Sequence, residues 1–158
     1  DGEPFVQYAV EEYAVRLLVL DTQGSGRAGD YCERRAAGLF KALRQQPDKP
    51  VAVFLHHPPF DIPGADEAYE FQFESREAAE RLTDVLARFD QVVQVFCGHA
   101  HRATQVQMNG IPASSMASIA VDLRVGESAH LPSLAPRFQI HRYVAGRGFE
   151  TLSQQVLA

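Results

Sequence analysis

Tryptophan is absent from the 158 residues, and cysteine occurs only twice. Two cysteines, Cys32 and Cys97, cannot build the disulfide framework of a small secreted domain. The expectation is two reduced thiols in a cytoplasmic protein. Long apolar runs are missing as well. The longest candidate, "VRLLVLD", has the length of a strand, far short of the roughly 20 residues that span a bilayer. No membrane partner is expected. The opening residues, "DGEPFVQY", have neither a basic start nor an apolar stretch, so no secretory leader is expected. The chain also opens without methionine, and residues upstream are expected to have been removed. Positive charge is in deficit, with 15 Lys and Arg against 20 Asp and Glu and a net charge of −5. That balance argues against a nucleic-acid partner. It leaves a small anionic substrate open, because a bound metal inverts the local field. A Walker loop and a G-x-S-x-G elbow are both lacking. "GSGRAG" has no G-K-[ST] ending and reads as a turn.

What is present organises well. Hydrophobic residues make up 46% of the chain, enough for one domain with a core. "YAVRLLVLD" (13–21), "VAVFLH" (51–56) and "QVVQVFC" (91–97) read as buried strands. Between them lie two amphipathic segments. The first, 31–45, puts Ala36, Leu39, Phe40 and Leu43 on one face, with Asp30 and Glu33 as a capping box. The second, 76–88, follows Ser75 as its cap and buries Ala78, Leu82, Val85, Leu86 and Phe89. Short helical crossovers imply parallel pairing. Beyond residue 103, "NG" (Asn109, Gly110) and Gly146 to Gly148 mark two hairpins. The fold class is α/β: a β-α-β-α-β parallel unit followed by antiparallel strands in a mixed sheet. The connection 57–74 is long for a strand-to-helix loop and is expected to cap the rim.

The six histidines carry the functional signal. His56 ends the second strand, while His99 and His101 follow the third in "FCGHAHRAT". Parallel strands open their carboxyl ends on one edge, where ligands bind. Three histidines therefore share one rim despite their distance in sequence. Neutral imidazole suits zinc and iron, and Gly98 clears space for a sharp turn beside an ion. Asp21 ends a strand on the same rim. His130 reads as a solvated loop residue, His141 as a strand residue with a satisfied ring, and Cys97 as a small buried hydrophobe. Asp61, Asp66 and Glu67 in the long loop read as solvated acids.

"VFLHHPPF" followed by "VFCGHAH" resembles the last two metal motifs of the calcineurin-like metallophosphoesterases. The flanking "LVLDT" and "FQIHR" look most like the bacterial branch with cyclic nucleotide phosphodiesterases and glycerophosphodiesterases. The resemblance implies part of a metallophosphoesterase α/β sandwich that hydrolyses phosphoesters at a binuclear centre of Fe, Mn or Zn. It implies His56 and His99 as ligands of one metal and His101 as a ligand of the other. His57 would be substrate-facing or a supporting residue. The implied substrate is a small phosphoester such as a cyclic nucleotide or glycerophosphodiester.

The family's earlier motifs, Asp-x-His, Gly-Asp and Gly-Asn-His-Asp/Glu, do not occur in their places. Gly29-Asp30 follows a strand that the family sets after all three. Residues 1–158 are thus expected to be a single domain, the C-terminal portion of a metallophosphoesterase domain without its N-terminal metal motifs. With no bridging carboxylate, at most one weakly bound ion and little turnover are expected. Uncovered apolar surface and a sheet edge predict a homo-oligomer. Two other readings stand beside this one: a non-catalytic phosphoesterase-like module that binds a partner or itself, and an unrelated mononuclear three-histidine zinc hydrolase.

Overall fold

A computed structural model describes residues 5–26, 28–65, 70–120 and 136–156. His130, Asp66 and Glu67 lie outside these residues.

The parallel unit forms as the apolar runs require. Strands β2 (Arg16–Val19), β3 (Val51–Leu55) and β4 (Val92–Cys97) pair in parallel. Helix α1 (Glu33–Arg44) connects the first two strands, and α2 (Arg76–Leu86) the last two. A fourth parallel strand, β6 (Ile111–Ser115), joins β4, and β5 (Thr104–Met108) closes that edge antiparallel to it. On the other edge, β1 (Tyr8–Val10) runs antiparallel to β2. The order is β1-β2-β3-β4-β6-β5. Strands β7 (Arg137–Val144) and β8 (Gly148–Gln155) form a separate two-stranded sheet.

Alternation along the strands divides the core. Val51, Val53 and Leu55 share one cluster with Leu39, Leu43, Leu82 and Leu86 of the helices. Ala52 and Phe96 turn to the other face, where Phe54, Tyr143 and Phe149 pack. The Phe54 and Phe96 rings stack at 4.9 Å between centroids, and Phe149 meets Phe96 edge-on at 5.2 Å. The small sheet therefore lies against the face opposite the helices. Its outward face exposes Phe138, Ile140 and Leu152.

Two expectations need correction. The strand expected over 13–21 is shorter, and the residues before it turn back to make β1. The capping box does not form: Cys32 is the N-cap of α1 and gives no side-chain bond. Asp30 is drawn elsewhere, with its carboxylate 3.7 Å from Arg35 and its carbonyl accepting from Arg35 Nη1 at 3.1 Å. A buried guanidinium outcompetes an exposed amide for that acid. The C-terminal strands do pair antiparallel as expected, β5 with β6 and β7 with β8. β6 pairs in parallel with β4, and the last hairpin leaves the main sheet.

Other local readings hold. Asn109 (φ 50°) and Gly110 (φ 84°) make the left-handed turn between β5 and β6. Ser75 caps α2, its hydroxyl accepting from the Ala78 amide at 3.1 Å. Ser75→Ala should cost about 1 kcal/mol of stability, read from the urea unfolding midpoint at unchanged m-value. The described ends of the connection, 57–65 and 70–74, are anchored. Phe60, Ile62 and Phe73 enter the core, and Asp61 pairs with Arg76 at 2.8 Å on the surface.

Candidate metal centre

His56 follows β3 directly, and Gly98 follows β4. The ladder between the strands continues one step past both, with the Gly98 amide donating to the His56 carbonyl at 3.0 Å. A Cβ on Gly98 would stand 3.2 Å from His56 Nδ1, so the glycine gives the imidazole its room. The chain then turns sharply. His99 and His101 both adopt left-handed backbone, at φ 56° and 51°, which costs an L-residue roughly 1–2 kcal/mol. Such strain collects where a side chain must be aimed.

The turn carries His99 back to His56. His99 Nδ1 lies 3.1 Å from His56 Nε2, across 43 positions of sequence. His57 completes the cluster, its ring centroid 4.5 Å from that of His99 and 4.8 Å from that of His56. Among the described residues, His56, His57 and His99 form the group whose candidate ligand atoms all lie within 4.8 Å of one another. No carboxylate belongs to it. His101 stands outside that group, yet it lies near enough to disfavour a proton on His56 and His99.

Burial and crowding favour the neutral form of His56 and His99. Desolvation lowers the pKa of His99 to about 4, helped by the repulsion that a proton there would meet from His57, His56 and His101. Desolvation lowers His56 too, with His101 adding to it. Neutral imidazole is the form that ligates. The spacing also fits an ion. Two nitrogens that share one ion at ~2.1 Å sit roughly 3.0–3.4 Å apart. The donor set is thus suited to one borderline divalent cation, and it supplies no negative charge for a second.

The other candidates are occupied. Asp21, on the same rim, turns to Arg35 at 3.4 Å and accepts from the Gln23 amide at 2.9 Å. Cys97 is a buried free thiol whose pKa is raised by burial. His141 bonds Thr151 Oγ1 through Nδ1 at 2.8 Å and lies 4.1 Å from the Phe96 ring. The sequence reading missed two residues, Thr22 and Gly29. Thr22 Oγ1 sits 2.9 Å from His57 Nδ1, and a Cβ on Gly29 would meet His57 Cβ at 2.6 Å. A threonine after a strand and a glycine in a glycine-rich turn carry no signal of that kind.

No family model matches the chain. A probable glycerophosphodiester phosphodiesterase from Arcobacter nitrofigilis is 33% identical over 147 residues, covering 90% of this chain and 53% of the relative. A glycerophosphodiester phosphodiesterase from Enterobacter lignolyticus is 36% identical over 103 residues, 65% of this chain and 36% of the relative. A 3′,5′-cyclic adenosine monophosphate phosphodiesterase from Escherichia coli K12 is 32% identical over 96 residues, 60% of this chain and 34% of the relative. The chain spans about half the length of the first of these and about a third of the others. A solved dimetal phosphatase from Danio rerio superposes with a TM-score of 0.65 over 96% of this chain and 60% of that one. At 13% identity that likeness speaks for the fold alone.

Proposed function

We propose that this chain, which belongs to the metallophosphoesterase family, carries the histidine side of a phosphoester-hydrolysing metal centre. The observation that carries the reading is the pair His56 Nε2 and His99 Nδ1, 3.1 Å apart at the ends of adjacent parallel strands. These two nitrogens would hold one ion. His101, outside that group, is the proposed ligand of the other. A divalent cation held there supplies Lewis-acid stabilisation of the phosphoester. The chain's own part is to present neutral nitrogens at a fixed separation and to wall the site with His57.

The relatives' names give the proposed substrate class: a small phosphodiester, such as a glycerophosphodiester or a cyclic nucleotide. Residues 1–158 are proposed to act as one unit of such a domain. Its two free thiols fit a reducing, cytoplasmic setting. No helix among the described residues is long and apolar enough to cross a membrane.

The carboxylate-free cluster sets the expected behaviour of this chain by itself. Calorimetric titration with Mn²⁺ or Zn²⁺ should show at most one weakly held ion per chain. Hydrolysis of bis-p-nitrophenyl phosphate should stay near background in the same buffers. Robust metal-dependent turnover by this chain would overturn that expectation. The same lack of carboxylates favours the second reading, a phosphoesterase-like module without catalysis, for which no ion binds at all.

A further inference from the structure

His57 is the most buried histidine of the described chain, at 2% exposure, and Thr22 beside it is equally buried. Two bonds join them. Thr22 Oγ1 lies 2.9 Å from His57 Nδ1, and the His57 amide donates to the same oxygen at 3.4 Å. The hydroxyl has one hydrogen to place. Its oxygen already accepts from the amide. If Nδ1 carried a proton and donated as well, the hydroxyl hydrogen would be buried with no acceptor among the described residues. Such an orphaned donor is costly. If the hydroxyl donates to Nδ1 instead, both atoms are satisfied. Nδ1 is then unprotonated with its lone pair used, and a neutral imidazole must carry its proton on Nε2.

We infer that Thr22 is a positioning residue that locks His57 in the Nε2–H tautomer, making it a hydrogen-bond donor beside the metal-binding pair instead of a third ligand. Neither nitrogen of His57 is then available to an ion, although its ring is close enough to His56 and His99 to invite a three-histidine site. An N–H at Nε2 suits an anionic acceptor such as a phosphoryl oxygen. Gly29 completes the seat, since the His57 Cβ and Cγ occupy the space where a side chain on residue 29 would begin. The glycine-rich turn after β2 thereby acts on the site through His57 and needs no phosphate of its own. The ring of His57 in turn backs those of His99 and His56, so holding it still also holds the pair. This inference rests on the proposed metal reading only for the identity of the neighbouring ligands.

Nitrogen-15 NMR of the ion-free chain tests it directly. His57 should show the Nε2–H pattern in the unmodified protein and in Thr22→Ser, and a mixture of tautomers in Thr22→Val. An Nδ1–H pattern in the unmodified protein, or an unchanged pattern in Thr22→Val, overturns it. Should Thr22→Val fail to fold, the unmodified protein and Thr22→Ser still decide. On titration with Zn²⁺, His57 Nε2 should keep its proton while the His56 Nε2 and His99 Nδ1 signals shift as their lone pairs bind the ion; a deprotonated, shifted His57 Nε2 overturns the assignment. Affinity for Zn²⁺ should fall about 10–100-fold in Thr22→Val and return in Thr22→Ser. If Zn²⁺ moves no histidine signal, the metal reading fails, and the ion-free spectra still settle the tautomer.

Discussion

Replacing His99 with alanine should lower the affinity of the chain for Zn²⁺ by more than about 100-fold. Losing a residue that merely supports a ligand costs about 10–100-fold in metal affinity, and losing a ligand should cost more. His99 supplies one of two nitrogens 3.1 Å apart, and the cluster contains no carboxylate to replace it. The effect should be confined to the ion. His99 is only partly buried, so its ring contributes little to the core, and stability should change by less than about 1 kcal/mol. His141→Ala makes the control, because its Nδ1 is committed to Thr151 and it stands outside the cluster. Calorimetry with Zn²⁺ checks both variants. Equal affinity in His99→Ala and the unmodified chain would remove His99 from the site.

Gly29→Ala should be the most damaging glycine-to-alanine change among the described residues. Its Cβ would fall 2.6 Å from His57 Cβ and 2.9 Å from Cγ. These atoms are the stem of the side chain, so no rotamer change relieves the clash; one backbone must move. Both backbones are tied. The Gly29 amide donates to the Gln72 carbonyl at 2.8 Å, and its carbonyl accepts from the Glu74 amide at 2.9 Å. Overpacking of this kind costs typically 1–3 kcal/mol, and the upper end is expected here. The melting temperature should fall roughly 5–10 °C, at about 2–4 °C per kcal/mol for a chain of this size. Zn²⁺ affinity should fall with it, because His57 backs the proposed ligand pair, His56 and His99. Gly26→Ala, in the same turn, meets nothing within 4 Å and should leave the melting temperature within a degree or two. Equal behaviour of the two variants would show that the turn does not seat His57.

The contrast between those two glycines shows how far the sequence can be read. Both lie in "TQGSGRAG" and look alike as letters. Only the packing of the 57–74 connection against the turn separates them. The capping box illustrates the same limit. Asp30 and Glu33 have the right spacing, yet Arg35, buried five residues on, takes Asp30 for itself. Spacing reports which bonds are possible, and burial decides which is made. The small β7–β8 sheet was legible as a hairpin from Gly146 to Gly148. Its departure from the main sheet was not, because pairing partners depend on long-range packing of Phe149 and His141 against Phe96.

The parallel unit and the rim follow from the order of residues alone. Apolar runs of strand length, separated by segments of helical period, admit little other than parallel strands with helices between them. The histidines at the ends of two such runs then share an edge. The same order sets Gly98 before His99, which gives the neighbouring ring its room. The side-chain partners were settled by packing between distant segments. It set His99 Nδ1 against His56 Nε2, drew Asp21 away to Arg35, and closed Thr22 on His57. Each of those outcomes depends on competition among buried polar groups for a few partners. Such competition is settled by distances across the fold, which no local pattern of residues contains.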